Sequence, residues 1–325
     1  MYSLYKTFIN HNQVKHYESF KTLVTIFDQQ CEIAEGADGE KMEIVIREKP
    51  KGDEIISTPH NTSARYVKKG KQKVCGHKGF ASESCEETNK TQFITDVETT
   101  PSTTADVNEL PNMQERLITS DMKPDEQYVD AGFANGQTIL DSQVNEILLE
   151  GPSSGRSQSF EMYNADDRPL DVADFEVEIE ENNKELTVIS CPANQVPTDQ
   201  SRNPKTGNIL VHFVVAVCST CRLKERCPVK IGVTVATLTL DERSYVGAAR
   251  HHKYMGDPKY RKKCSIRAGA EALVSELVRA HGVRKSRHRN EERTRLQLIF
   301  SAIACNVKRY IRHGQEHGYA IATNT

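Results

Sequence analysis

The sequence predicts an α/β protein with helices at both ends and a β-rich insertion in its middle third. Strand-like and helix-like segments follow one another in the order β-β-α-β-α-β between residues 73 and 149, which is typical of a sheet with parallel and antiparallel neighbours. From Phe175 onward, apolar and acidic residues alternate strictly, as in a half-buried strand. Near both termini, apolar residues recur at helical spacing.

Periodicity and turn residues define the elements of the N-terminal half. Residues 3–34 are expected to hold one or two helices, and residues 35–63 a loop with a short extended piece at 42–46. The elements predicted next are strands at 73–83 and 91–99 around a polar turn at 86–90, a helix at 106–120, a strand at 128–130, a helix at 135–142 and a strand at 147–149.

The C-terminal half starts with a polar linker over 153–169 and a hairpin whose strands flank a turn at Asn182 and Asn183. Further strands are expected at 209–217 and 231–240. Asp257 and Pro258 form a good helix start and Gly282 a good helix end, which predicts one helix of about 24 residues between them. A final amphipathic helix is expected over residues 296–311.

Composition and length exclude several classes of protein. The chain has 325 residues, a formal net charge of −2, 37% hydrophobic and 27% charged residues, which is enough to build a core. The longest apolar run, Ile209 to Cys218, is half a membrane span, so no membrane protein is expected. No signal peptide is recognised, and the nine cysteines are an odd number, so we expect a cytoplasmic protein with reduced or metal-bound thiols.

The near-zero net charge hides a strong separation of charge. Residues 96–190 contain 22 acidic and 5 basic residues, a local charge of −17. Residues 243–295 contain 15 basic and 5 acidic residues, a local charge of +10. A basic block of this density indicates a phosphate-binding surface, although a solvated helix face that balances the acidic half explains the charge equally well.

Several ordered blocks resemble bacterial insertion-sequence transposases of the DDE, ribonuclease-H-like type. The first is the stretch from Cys264 to Ser275, which resembles the family's signature helix and is followed by a basic run over 281–289. Tyr128-Val-Asp130-Ala-Gly-Phe is similar to the strand with the family's second catalytic Asp. Segments over 64–66, 76–79 and 93–101 match the early strands, so the resemblance extends from about Phe20 to Arg312.

The resemblance implies a polynucleotidyl transferase in which three carboxylates hold two Mg²⁺ or Mn²⁺ ions. Carried onto this sequence, Asp130 is the second metal ligand, Glu271 the third, and Arg267 the arginine of the catalytic helix. Taken alone, Asp130 is an ordinary helix cap. Glu271 and Arg267 are an ordinary surface ion pair at helical spacing.

The sequence also departs from the family's pattern. The first catalytic Asp is expected on a strand upstream of the opening helices, and Met1 follows that point, so a transposase truncated at its N-terminus is predicted. Asn61 lies at a position where the family commonly has a second Asp. Cys264 lies where an aromatic residue is expected, and Val278 where some members have a lysine. We therefore expect that this chain alone does not transpose DNA, unless another carboxylate such as Asp96 or Asp53 completes the site.

Four cysteines have the spacing of a metal site. Cys218 and Cys221 form a CxxC pair, Cys227 follows six residues later, and Cys191 lies beyond a hairpin. Four thiolates of this kind can bind one structural zinc ion, and the group resembles a cysteine cluster in the insertion of related transposases. The alternative is a group of reduced thiols. The other five cysteines show no ligand spacing.

A basic segment follows the Glu271 helix and is predicted to hold DNA backbone, since arginine and lysine contacts to phosphate position a strand without reading its sequence. A solvated connector between two helices is the alternative. The residues concerned are Arg279, Arg284, Lys285, Arg287, His288, Arg289, Arg293 and Arg295. Transposon ends and target DNA are the expected partners, together with a second copy in a homodimer.

With the resemblance, the fold expected is a ribonuclease-H-like mixed sheet with flanking helices, interrupted by the β-rich insertion. The chain divides into a helical remnant and linker (1–63), the first part of the transposase domain (64–151), the insertion with the cysteines (152–250) and the catalytic helix with the basic C-terminal part (251–325). The leading hypothesis is an incomplete DDE transposase of an insertion sequence, with metal-dependent DNA cleavage and strand transfer as its activity. The alternative is a non-catalytic, zinc-stabilised DNA-binding remnant.

Overall fold

The computed structural model describes residues 2–35, 42–49, 55–86, 91–154, 168–179 and 186–318, and it is a mixed α/β protein, as predicted. The helices are α1 Tyr2–Phe8, α2 Glu18–Gln30, α3 Asp106–Thr119, α4 Gly136–Val144, α5 Val215–Thr220, α6 Glu242–Gly256, α7 Pro258–Cys264, α8 Ala268–His281 and α9 Glu291–Glu316. Turns of 3₁₀ helix lie at Val14–His16, Val172–Asp174 and Ser265–Arg267.

The strands form small sheets. Their bounds are β1 Cys31–Glu35, β2 Met42–Ile46, β3 Arg65–Lys69, β4 Gln72–Glu83, β5 Ile94–Pro101, β6 Glu126–Tyr128, β7 Leu148–Glu150, β8 Glu176–Ile179, β9 Leu186–Ser190, β10 Asp199–Arg202, β11 Ile209–Phe213, β12 Lys230–Ile231 and β13 Ala236–Leu240. Among the described residues, β6 and β7 are the parallel pair, and the other pairings are antiparallel.

The chain divides into two compact units, of which the first comprises residues 1–104 and 272–325. It contains the β1–β2 hairpin and a three-stranded sheet in the order β3-β4-β5. Leu273 and Leu277 of α8 and Leu298 of α9 form a core with Ile94 of β5. Asn306 of α9 accepts a hydrogen bond from the Ile94 backbone N–H at 2.8 Å and donates one to its carbonyl at 2.9 Å, so a side chain satisfies the backbone of this strand.

The second unit comprises residues 105–271. Helices α3 and α4 accompany the parallel pair β6–β7, and Leu110, Ile139 and Leu149 lie in their shared core. Asn135 and Thr138 form a reciprocal capping box that starts α4. The β8–β9 hairpin and the four-stranded sheet β10-β11-β13-β12 build the β-rich part around a separate apolar core.

The strand predicted over 128–130 is observed as Glu126–Tyr128, and three further predicted elements differ more widely from the structure. The strand predicted over 209–217 ends at Phe213, because alternate burial stops there and α5 begins at Val215. The strand predicted over 231–240 is two strands, because the chain turns through Gly232 to Val235 and leaves Val233 98% exposed. Apolar residues outside the strands thus gave the sequence pattern of a longer strand.

The third difference concerns the long helix predicted between Asp257 and Gly282. Both ends are confirmed: Asp257 accepts hydrogen bonds from the first-turn amides, and Gly282 has a φ of +67°. Between them, however, a 3₁₀ turn at Ser265–Arg267 separates α7 from α8. The Ser265 hydroxyl donates to the Lys262 carbonyl at 2.6 Å, a local bond that competes with regular helix geometry.

Other parts of the chain were not predicted or cannot be compared. Local sequence patterns did not predict the strands β1, β3 and β10 or the helices α5 and α6, because these elements are short or polar. The predicted turns at 86–90 and 182–183, the linker at 153–169 and Asp53 lie wholly or mainly outside the described residues. Within the described residues, no helix combines the length and apolarity needed to cross a membrane.

Candidate active site

Asp130 lies two residues after the end of β6, at the carboxyl edge of the parallel strand pair. The Val129 amide donates to the Glu150 carbonyl at 2.9 Å, which continues the pairing of the two strands to this point. The Asp130 carbonyl then accepts from the Phe133 amide at 3.0 Å and the chain turns toward α4. Ligand sites in α/β sheets lie at this edge, and the Asp130 side chain is 65% exposed.

Arg267 forms an ion pair with Asp130 through its Nη1 atom. The two residues are far apart in sequence, so their contact arises from the packing of the 3₁₀ turn before α8 beside the end of β6. Partial burial opposes the charge of Arg267, but Asp130 and the Tyr254 hydroxyl outweigh it and raise the pKa of the guanidinium. The Arg267 guanidinium therefore keeps its charge near neutral pH.

Glu271 lies in the first turn of α8, four residues after Arg267, and is exposed. Because Arg267 contacts Asp130, the start of α8 lies beside the carboxyl end of β6. Asp130, Arg267 and Glu271 thus come from one region of the second unit. The predicted roles of the two carboxylates as metal ligands remain predictions.

A buried charged network beside this region was missed by the sequence analysis. Glu150, the last residue of β7, is 3% exposed and accepts a hydrogen bond from the Tyr260 hydroxyl at 2.5 Å. The Arg250 Nη1 atom lies 3.2 Å from Oε2 of Glu150, the oxygen that also accepts from Tyr260. The Lys263 Nζ atom lies 3.2 Å from the other oxygen, Oε1. Lys263 also reaches Glu126 at 2.8 Å, so one lysine joins the start of β6 and the end of β7 to α7.

The pKa shifts of this network follow from burial and partners. Burial raises the pKa of Tyr260, and its hydrogen bond to Glu150 raises it further. Hydrogen bonding to Glu126 raises the pKa of Lys263, while the same lysine lowers the pKa of Glu126. Burial, followed by the contact with Glu126, raises the pKa of Tyr128 to about 12. A sequence signal for this network would have been a glutamate ending an otherwise apolar strand.

Asp106 is another carboxylate that the sequence analysis treated only as a helix start. A β-carbon added to Gly132 would lie 2.6 Å from the Asp106 Oδ2 atom, so this carboxylate approaches the turn that follows Asp130. The glycine permits that approach. Asp96, the substitute considered above, lies on β5 in the first unit.

The predicted DNA-binding residues are exposed and lie between the end of α8 and the first turns of α9. They are Arg279, Arg284, Lys285, Arg287, His288, Arg289, Arg293 and Arg295. The Ser286 hydroxyl donates to the His288 carbonyl, and the Arg287 amide donates to Gln297, so the connecting segment has a defined conformation. Arg295 differs from the others in pairing with Glu98 at 2.7 Å.

The four predicted zinc ligands, Cys191, Cys218, Cys221 and Cys227, line one cavity in the β-rich part of the second unit. All nine cysteines are free thiols. A different group, Asp171, Asp174 and His252, brings three ligand atoms within 4.8 Å of one another and was not predicted. Its carboxylates already have partners, since Arg168 forms two hydrogen bonds to Asp174 and Asp171 caps a 3₁₀ turn.

Residues 190–311 match the protein-family model described as a transposase DDE domain. The resemblance to DDE-type transposases is confirmed. The match includes Arg267, Glu271, the four clustered cysteines and the basic segment, whereas Asp130 lies before its first residue. No curated protein and no solved structure gives a significant match to the chain.

DDE transposases use divalent metal ions, and the donor set in this chain suits such an ion. Carboxylate oxygens are the ligands that hard cations prefer, and both Asp130 and Glu271 are accessible to solvent. The Arg267 guanidinium competes with a cation for the same Asp130 oxygen. Because a carboxylate has two oxygens, a metal ion can bind Asp130 beside Arg267 or after displacing it from Oδ1.

Proposed function

We propose that this chain is the DDE transposase of an insertion sequence, with a ribonuclease-H-like arrangement of its core and with transposon ends and target DNA as its substrates. It acts in the cytoplasm, and a homodimer brings two DNA ends together. When bound, Mg²⁺ or Mn²⁺ supplies the Lewis acidity for DNA cleavage and strand transfer. Asp130 and Glu271 hold the ions.

The contact between Arg267 and Asp130 carries this proposal. The family match covers Arg267 and Glu271 but not Asp130, so the ion pair is the independent observation that joins the matched helix to the unmatched strand. A surface ion pair contributes little to stability, so its placement at the carboxyl edge of two parallel strands favours a functional role. In this role Arg267 orients Asp130 and balances its charge.

The basic segment supports the choice of DNA as substrate. Its side chains are exposed and follow directly on the Glu271 helix. Contacts from arginine and lysine to phosphate hold a strand regardless of sequence, which suits an enzyme that must accept varied target DNA.

Cleavage of end-labelled duplexes that carry the terminal repeats of the encoding element tests the proposal. The full chain is compared with Asp130→Asn and Glu271→Gln, with Mg²⁺ or Mn²⁺ present, and Asp125→Asn serves as a matched exposed control. Cleavage that both site variants abolish and the control retains supports metal-dependent catalysis at Asp130 and Glu271. Cleavage that survives in both variants contradicts it.

A second candidate function is DNA binding without chemistry, with the cysteine cluster holding the fold together. The neutral Asn61, at a position where the family commonly has Asp, favours it. It predicts salt-sensitive binding and no cleavage under any metal, in line with the expectation that the chain alone does not transpose DNA. Robust cleavage lost in Glu271→Gln overturns that expectation and identifies a further carboxylate, such as Asp106, as part of the site.

A further inference from the structure

Four cysteines from separate segments line one cavity of about 290 Å³ in the second unit. Cys191 follows β9, Cys218 lies on α5, Cys221 ends that helix, and Cys227 lies before β12. Cys191, Cys218 and Cys227 also pack against the apolar core of the β-rich part. The cluster therefore lies where three chain segments meet at the edge of that core.

Backbone amides point at the sulfur atoms of this cluster. The amides of Ala193 and Gln195 each lie 3.4 Å from the Cys191 sulfur, and the Leu223 amide lies 3.4 Å from the Cys221 sulfur. The Val229 amide donates a hydrogen bond to Cys227. Three of the four sulfurs thus accept an N–H from the residue two positions later.

This repeated hydrogen bond distinguishes the cluster from ordinary buried thiols. A neutral thiol is a weak acceptor, whereas a thiolate is an anion that amide donors stabilise strongly. Residues around a metal centre commonly orient its ligands by donating hydrogen bonds to them. The same turn geometry at Cys191, Cys221 and Cys227 prepares three sulfurs to act as charged ligands.

The four cysteines line the same cavity, so their thiolate charges repel one another. Four thiolates cannot share one cavity unless a positive charge lies among them. A dication removes this repulsion and keeps coordinating thiols deprotonated.

We propose that Cys191, Cys218, Cys221 and Cys227 bind a single zinc ion as four thiolates. Zinc suits this set because it favours tetrahedral coordination by sulfur in closed structural sites. In the part of the chain that the structure describes, three ligand atoms come within 4.8 Å only at Asp171, Asp174 and His252. No three of the four cysteine sulfurs therefore lie within 4.8 Å of one another, so zinc binding requires the three segments to move closer together. This site does not depend on the proposed function.

The zinc ion is structural. A four-thiolate site has no open position for substrate, and it carries a net charge of about −2, which the cavity residues Arg222 and Lys224 offset. It links the end of β9 to α5 and to the segment before β12, so it stabilises the part of the second unit that holds the β-rich core.

Metal analysis and cobalt substitution of the full chain test the proposal. Protein expressed with zinc is expected to retain one equivalent per chain after dialysis, and all four thiols are expected to resist alkylation under native conditions. Replacement by Co²⁺ is expected to give the intense visible absorption of tetrahedral thiolate coordination. Cys221→Ser is expected to lose the zinc, whereas Cys75→Ser, at an exposed cysteine outside the cluster, retains it.

Because Cys221→Ser can also unfold the protein, the spectrum of the cobalt-substituted natural chain decides the case independently. Absence of stoichiometric zinc together with full alkylation of the four thiols overturns the proposal. A weak cobalt spectrum of oxygen and nitrogen ligation also overturns it, and His252→Ala then locates the ion at the Asp171, Asp174 and His252 group.

Discussion

Glu150 is a buried carboxylate whose charge is balanced entirely by side chains from α6 and α7. Tyr260, Arg250 and Lys263 each contact one of its oxygens. A buried charge with such partners is costly to disturb, because removal of one partner leaves the charge partly unsatisfied. The network therefore holds the carboxyl end of β7, whose Glu150 carbonyl pairs with the residue before Asp130, in a defined position against the helix that precedes Arg267.

Tyr260→Phe removes the hydroxyl donor without changing the size of the ring. Hydrogen bonds to charged groups contribute about 1.5–3 kcal/mol, so we expect a loss of this order in the free energy of unfolding. Urea denaturation of both proteins measures it. Tyr310→Phe is the control, because Tyr310 is 63% exposed, and its effect is expected within about 0.5 kcal/mol. Equal stabilities of natural protein and Tyr260→Phe would contradict the role of the network.

The same network predicts how stability depends on pH. Tyr128, Tyr260 and Lys263 all have raised pKa values, that of Tyr128 to about 12, so the folded protein holds these protons when the unfolded chain has released them. Unfolded tyrosine and lysine titrate near pH ~10. The contribution of these groups to the free energy of unfolding is therefore expected to be fully present below about pH 10 and to be lost as the pH rises above it.

Urea unfolding at a series of pH values between 8 and 11.5 measures this loss. Tyr128→Phe is expected to reduce the slope, because phenylalanine has no proton to lose, and Tyr310→Phe is the variant for comparison. A stability that rises above pH 10 would show the opposite linkage and refute the assigned shifts.

At the scale of the elements, Gly151 determines how β7 leaves the sheet. Its φ is +134°, and an added β-carbon would lie 2.2 Å from the Val129 carbonyl oxygen. The glycine lets the chain turn directly against the residue before Asp130, so the geometry of the candidate site depends on it.

Gly151→Ala is expected to destabilise the protein by about 1–3 kcal/mol, since the backbone conformation is accessible essentially to glycine alone. Gly256→Ala is the matched control: it lies at the end of α6 with open space around it, and little change is expected. Thermal and urea unfolding of the two variants compare them. A neutral Gly151→Ala would mean that β7 leaves the sheet by another route in solution.

At the scale of the whole molecule, the distribution of charge determines which partners the protein attracts. The acidic stretch over 96–190, with a charge of −17, outweighs the basic stretch over 243–295, with a charge of +10, so the net charge of −2 conceals a strongly basic segment. Within the basic segment, Arg295 is engaged by Glu98, whereas Arg287 and Arg289 are exposed on the connection between α8 and α9.

Binding to duplex DNA is expected to weaken steeply with salt, because each neutralised phosphate releases counterions. Arg287→Ala and Arg289→Ala are each expected to lower the slope of log K against log salt by about 1. Lys205→Ala, at an exposed turn between β10 and β11, is the control and should leave the slope unchanged. A slope that none of these variants alters would place DNA on another surface.

Much of the architecture followed from local sequence patterns. Buried apolar residues at regular spacing identified β4, β5, α3 and α4, and the capping residues Asp257 and Gly282 identified both ends of the helical stretch between them. Local patterns failed where an apolar residue lies in a turn, as Val233 does, and where a polar helix such as α6 has few apolar residues to mark it.

The sequence by itself determined the α/β class, the resemblance to DDE transposases and the candidate residues Asp130, Arg267 and Glu271, because these depend on residue types in order along the chain. Only the tertiary structure brought Arg267 to Asp130, Asp106 toward Gly132, and Tyr260, Arg250 and Lys263 around Glu150. It also showed backbone amides directed at the sulfurs of the cysteine cluster. These contacts join residues from distant segments, and their partners are selected by packing and by the need to satisfy buried charge, which no local pattern records.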